Sequence, residues 1–136
     1  MATIDYDIIL YKDYYPILWH ASETGNIQEL KNSLKYISDI DLRNKNGWNA
    51  LIIATYNGQV EIINYLLNQG SNVNTTNYKG TTALMYAFSY YERSKDRSVI
   101  DFLINHGADT TIKDQSQKNI FDYMKERRCP DLLDLK

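Results

Sequence analysis

The chain has a single cysteine, Cys129, in 136 residues. An internal disulfide is impossible, and no cysteine-built metal site is suggested. One thiol fits an intracellular, reducing setting, so a cytoplasmic location is expected, whether in the producing cell or in a host. Histidine is scarce as well, with two copies, and neither has a partner at metal-ligand spacing. Basic charge is not in excess: 15 Lys and Arg stand against 17 Asp and Glu. That balance excludes a general binder of nucleic acid or anionic membrane, which needs surplus cations to neutralise phosphates. No apolar run approaches the roughly 18 residues of a membrane span. The opening MATIDYDIILYKDYYP lacks a basic n-region and places Asp5 and Asp7 around a short apolar patch, so no secretory signal is read. A Gly-rich phosphate loop is missing too. What remains is an ordinary globular balance, 43% hydrophobic and 24% charged, on a length that suits one domain.

The six glycines are spaced rather than scattered. Gly25 and Gly58, Gly47 and Gly80, and Ala21 and Ala54 are pairs 33 residues apart. NGWNALIIA at 46 to 54 and KGTTALMYA at 79 to 87 align at that offset, with Trp48 in one copy where the other has Thr81. Gly70 and Gly107 are 37 apart, so the third unit holds four extra residues, within FSYYERSKDRS. Self-similarity at such a period signals a repeat architecture. Each unit opens with a turn (RNKNG, TNYKG, KDQSQ) and continues as a short apolar helix (ILWHA, ALIIATY, ALMYAF). A break then leads to a second helix. In unit two its stripe is Val60, Ile62, Ile63, Leu66 and Leu67; in unit three it is Val99, Ile100, Leu103 and Ile104; in unit one it is Ile27, Leu30 and Leu34. Gly70 and Gly107 are placed to close their helices, after which SNVN and ADTT are expected to run extended.

NGWNALIIATYNG…IINYLLNQGSNVN and KGTTALMYAF…IDFLINHGADTT resemble ankyrin repeats, and the likeness covers about residues 14 to 128. It implies an all-α solenoid of stacked helix-turn-helix repeats with short β-hairpin-like finger turns. The expected organisation is one domain over 1–136, with an N-capping repeat at 14–45, a second repeat at 46–78, a third at 79–115 and a C-terminal capping repeat at 116–136. Departures are visible. Pro16 and Ile17 precede Leu18, Ile37 stands where Gly would close the second helix, and Gln117 replaces the finger Gly of the last unit. The His that follows Leu in the family pattern is absent, with Trp19, Ile52, Met85 and Asp122 in its place. Asn74 matches the asparagine that hydroxylases modify in some members.

One unit cannot bury its own apolar face, so stacking must close the core and leave a concave flank of fingers and first helices. The resemblance implies that this flank binds a partner protein. By position it offers Lys45, Asn46, Trp48, Tyr56 and Asn57 from unit two and Tyr78, Lys79, Thr81, Ser89 and Tyr90 from unit three. Glu23 and Thr24 join from unit one, and Gln115, Ser116 and Lys118 from unit four. Trp48 is expected to stand clear of the inter-helix core, as an interface anchor. Tryptophan and tyrosine are common binding hot spots. The insertion, with Glu92, Arg93, Lys95, Asp96 and Arg97, is expected to lengthen the first helix and loop of unit three, either as a tolerated surface loop or as a charged lobe that selects the partner.

No nucleophile, base and orienter fall in register, so no enzyme is expected. His20 reads as a packed, hydrogen-bonded helix residue and His106 as a cap at a helix C-terminus. Neither a cofactor nor a small-molecule substrate is expected. The function read is that of a non-enzymatic adaptor, inhibitor or effector. The rival reading is a regulatory or substrate-docking part of a larger enzyme; Met1 and the cap-like ends argue instead for a complete chain. The charged last unit, with Lys125, Glu126, Arg127 and Arg128, points to a monomer rather than end-to-end assembly.

Overall fold

The computed structural model describes residues 11–129 and residue 132. Asp5, Asp7 and Pro130 lie outside the described residues. Among the described residues seven α-helices follow in order: α1 Tyr11–Thr24, α2 Ile27–Leu34, α3 Ala50–Tyr56, α4 Val60–Asn68, α5 Ala83–Ser94, α6 Ser98–Asn105 and α7 Ile120–Glu126. α1 pairs with α2, α3 with α4 and α5 with α6, while α1, α3, α5 and α7 stack in turn as an inner layer. The described residues hold one isolated β-bridge, Thr76 to Thr82, so the fingers are turns rather than paired strands. None of the described helices is long and apolar enough to cross a membrane.

The core is a set of columns written by the repeat. Leu18, Leu51 and Leu84 form one; Ala21, Ala54, Ala87 and Met124 a second; Leu30, Ile63 and Ile100 a third, all buried. Each buried leucine or isoleucine contributes about 1.5–3 kcal/mol. The alanines keep the inner helices slim, which lets neighbouring units approach.

Each inner helix from α3 onward begins at a polar side chain that caps its free N–H groups. Asn49 Oδ1 accepts from Ile52 N at 2.9 Å, Thr82 Oγ1 from Met85 N at 3.1 Å and Asn119 Oδ1 from Asp122 N at 3.1 Å. Asp122 returns a bond to Asn119 N, completing a capping box. Asn49 is wholly buried and also joins units. Its Nδ2 donates to Asp41 Oδ1 at 3.1 Å and to Thr75 Oγ1 at 2.8 Å, and Asp41 in turn accepts from Ser71 Oγ and Asn72 N.

Two expectations are corrected. α1 starts well before ILWHA and contains Pro16, which removes one helical hydrogen bond and is itself exposed. The early turn is held by Tyr15, which is buried, and by Tyr14, stacked on Tyr36 at 4.5 Å. The SNVN and ADTT segments turn instead of extending. Asn72 Oδ1 and Asp109 Oδ1 accept from the N–H two residues on, Asn74 N and Thr111 N, and bend the chain into Asx turns. Asn74 Oδ1 then accepts from Asp109 N at 2.8 Å, tying one unit's turn to the next. The insertion lengthens the first helix of unit three, as its four extra residues imply. α5 has 12 residues where α3 has 7. Its added turn carries Arg93, which donates to the Tyr56 carbonyl at the end of α3 and lies 4.2 Å over the Tyr56 ring. Glu92 pairs with Arg127 at 3.5 Å, Arg97 with Asp101 at 3.0 Å, and Asp96 accepts from Ser98 N at the start of α6. That backbone N–H, with the Ser98 hydroxyl, holds the Asp96 carboxyl below its usual range.

Candidate functional site

Three fingers, residues 43–48, 76–81 and 113–118, share one geometry. Each carries an Asx residue whose Oδ1 accepts two loop N–H groups. Asn44 takes Asn46 N and Trp48 N, Asn77 takes Lys79 N and Thr81 N, and Asp114 takes Ser116 N and Lys118 N, all at 2.9–3.2 Å. A tight turn follows, Gly47 N to Asn44 O, Gly80 N to Asn77 O and Gln117 N to Asp114 O. Its fourth residue has positive φ, 85° at Gly47 and 63° at Gln117, so the last finger bears the strain of a side chain in the left-handed region. Gly47 is also needed because an added Cβ would lie 2.5 Å from the Tyr78 ring, which rests on it. These Asx residues recur at the repeat spacing, which was the signal that could have marked them in the sequence.

In the second and third fingers the side chain that completes the Asx clamp comes from the adjacent inner helix. Asn77 Nδ2 donates to the Tyr86 hydroxyl at 2.8 Å, and the Tyr123 hydroxyl donates to Asp114 Oδ2. The carboxylate partner and burial push the Tyr123 phenol up to about 12. Tyr86 also lies above its ordinary value, because burial outweighs the Asn77 bond. In unit two the corresponding residue is Ile53, which has no hydroxyl. Asn44 Nδ2 therefore has no partner among the described residues, and Asn44 lines a pocket.

That pocket, of about 470 Å³, lies between α1 and the second unit's finger. Trp19, His20 and Glu23 form one side; Asn46, Trp48, Ile53, Tyr56 and Asn57 form the other. A smaller pocket of about 240 Å³ lies between α5 and α7, walled by Thr81, Met85, Tyr86, Ser89, Tyr123 and the Glu92–Arg127 pair. A ridge of three rings divides them. Trp48 lies 4.7 Å from Tyr86 and 5.3 Å from Tyr56, and those two tyrosines meet edge-on at 6.0 Å. Such pairs contribute about 0.5–1.5 kcal/mol each beyond burial.

Asn46, Trp48, Tyr56, Asn57, Thr81, Ser89 and Glu23 thus line pockets on the inner face. Lys45, Tyr78 and Lys79 lie outside these pockets, on the finger row, and Tyr78 is 59% exposed. Tyr90 turns away, its ring over Gly58. Thr24 donates back to the His20 carbonyl. Gln115 bonds to the Tyr78 carbonyl, while Ser116 and Lys118 flank a separate shallow depression. Trp48 is half buried, packed against the edge of the core without being part of it. One reading changes. His20 is exposed and faces the large pocket instead of being packed and hydrogen-bonded. It occupies the same repeat position as Ile53, Tyr86 and Tyr123, which point to the groove, and that column was the available signal. His106 does cap α6, with Nδ1 2.8 Å from the Phe102 carbonyl and its ring stacked on Phe102.

A family model described as "Ankyrin repeats (3 copies)" matches residues 18–114. Ankyrin repeat and SAM domain-containing protein 6 of Rattus norvegicus is 30% identical over 122 residues, 85% of this chain and 13% of that protein. The RelA-associated inhibitor of Mus musculus is 30% identical over 101 residues, 72% of this chain and 12% of that protein. The Notch-regulated ankyrin repeat-containing protein of Xenopus tropicalis is 42% identical over 45 residues, 33% of this chain and 40% of that protein. The chain spans under half the length of each of these relatives. Repeats of this kind are in general protein-interaction modules, and this chain belongs to the ankyrin-repeat family.

Proposed function

We propose that the chain is a non-enzymatic interaction domain that holds a segment of a partner protein across its inner-helix groove, with the Trp48, Tyr56 and Tyr86 ridge as the main contact. The observation that carries this reading is the ridge itself: three half-buried rings set between two pockets, beside an Asn44 amide that no described residue engages. An aromatic ridge supplies contact area at low entropic cost, and the amide supplies a donor for a partner carbonyl. A cytoplasmic, monomeric protein acting as adaptor, inhibitor or effector belongs to the same proposal. Service as the regulatory or substrate-docking portion of a larger enzyme is the second reading. Intact mass of the natural product separates the two.

The test is a pair of substitutions read against partner affinity and melting. Trp48→Ala is expected to weaken binding by about 1–4 kcal/mol and to lower stability by about 1–2 kcal/mol through the lost ring pairs. Asn44→Asp keeps the acceptor that organises the finger, as Asp114 does in the last finger, but removes the free donor. It is expected to cost about 0.5–1.5 kcal/mol of affinity with melting unchanged. Unaltered affinity in both variants defeats the proposal.

A further inference from the structure

The charge of this acidic chain is unevenly placed. Its three fingers carry Arg43, Lys45, Lys79, Lys113 and Lys118, five of the fifteen cations, and one of the seventeen carboxylates, Asp114. Asp114 is buried and occupied by Ser116 N, Lys118 N and the Tyr123 hydroxyl. The nearest acid before the first of these fingers, Asp41, is taken up by Ser71, Asn72 and Asn49. Lys118 is paired with Glu126. Arg43, Lys45, Lys79 and Lys113 are all exposed and make no ion pair among the described residues.

The four form a continuous row because the fingers touch. Arg43 lies 5.2 Å over the ring of Tyr78 on the next finger, and that ring rests on Gly47. Gln115 N donates to the Lys79 carbonyl at 2.9 Å, and Gln115 Nε2 to the Tyr78 carbonyl at 2.9 Å. Cations on adjoining fingers without countercharge present a positive strip on a net-negative protein, and a line of carboxylates is its electrostatic complement.

We infer that the finger row receives an acidic, extended segment of the partner protein, its carboxylates meeting Arg43, Lys45, Lys79 and Lys113 while its apolar side chains enter the groove. The inference rests on the groove reading above and adds the chemistry of the partner. Stacked helices lie about 8–10 Å apart, and an extended chain advances about 3.3 Å per residue. Acids at every third residue therefore match successive fingers.

The test is selection of random twelve-residue peptides on the full chain, repeated on a variant carrying Arg43→Gln, Lys45→Gln, Lys79→Gln and Lys113→Gln. Circular dichroism checks that the variant is folded. The selected peptides are synthesised, and their affinity is read by fluorescence anisotropy at low and high salt. Tryptophan emission reports the groove, since Trp19 and Trp48 line the same pocket. Expected are peptides rich in Asp and Glu at three-residue spacing, which shift the emission. Each exposed pair contributes about 1.5- to 5-fold, so the variant, which loses four, should bind about 5- to 600-fold more weakly, and added salt should weaken wild-type binding in the same direction. Peptides without acidic enrichment, or peptides that bind the variant equally well, overturn the inference. If such peptides still shift tryptophan emission, the groove reading survives alone. Peptides that bind Trp48→Ala unchanged and leave emission unmoved remove the groove reading instead. A single-stranded oligonucleotide that binds more tightly than the best peptide at physiological salt overturns the choice of a protein segment.

Discussion

Asn49 offers a sharp test of how the units are joined. Its side chain caps α3 through Ile52 N and links two neighbouring segments through Asp41 and Thr75. Asn49→Ala removes the cap, worth about 1 kcal/mol. It also leaves the buried Thr75 hydroxyl without its donor, which costs about 1–2 kcal/mol. Asp41 keeps Ser71 and Asn72, so its loss is smaller, about 0.5 kcal/mol. The expected total is about 3 kcal/mol, a large part of a domain's usual stability, and a fall in Tm of about 10 °C. Asn49→Thr restores a cap of the kind Thr82 provides in the next unit, and is expected to recover about 1 kcal/mol. The deciding variant is Asn49→Asp. Asp caps a helix as well as Asn does, so a residue that acts only as a cap would tolerate it. Here it sets a second carboxylate where Asn49 Nδ2 now lies 3.1 Å from Asp41 Oδ1. Stability should then drop by more than in Asn49→Ala at neutral pH and return in part on acidification, as one carboxyl takes up a proton. Urea unfolding followed by far-UV circular dichroism measures all three. An Asn49→Asp variant as stable as wild type would refute the inter-unit role.

Other outcomes are expected from the same geometry. Tyr123 has its folded pKa raised to about 12 from an ordinary 10.0. Its contribution to stability is full below about 10 and is lost as pH rises through 12, because the unfolded chain releases that proton first. Tyr123→Phe should flatten the alkaline limb of the stability profile, and ultraviolet titration should lose one late-ionising phenol. Arg93→Met keeps the packing over Tyr56 but removes the donor to its carbonyl, with an expected cost of about 0.5–1.5 kcal/mol. A double-mutant cycle with Tyr56→Leu should show coupling of about 0.5–1 kcal/mol from the ring contact. Gln117→Gly relieves a side chain held at a φ of 63° and should raise stability by about 1 kcal/mol, visible as a higher urea midpoint.

The repeat was legible because its signals are local. Glycine spacing, alanine and leucine columns and the apolar stripes of α4 and α6 are written within each unit, and stacking only confirms them. The helix closures at Gly70 and Gly107 were readable as well, and both have positive φ. Asn44, Asn77 and Asp114 lay in register and could have been found. The turns at Asn72 and Asp109 were missed because an Asx residue bends the chain through its own side chain, against the extended pattern of its neighbours.

The candidate site divides along the same line. That Trp48 sits past a finger glycine follows from the order of residues. That it meets Tyr86, 38 residues beyond it, follows only from the distance at which two helix pairs stack. His20 faces the groove because α1 is turned so that Leu18 and Ala21 enter the core, a rotation settled by contacts with α2 and α3. The insertion became a latch because its extra helical turn reaches one unit back to the end of α3. The chain by itself determined which faces are apolar and how often they recur, since those are properties of neighbours along the backbone. The stack alone decided which exposed groups share a pocket, a ridge or a row of charge, since those depend on the register between units.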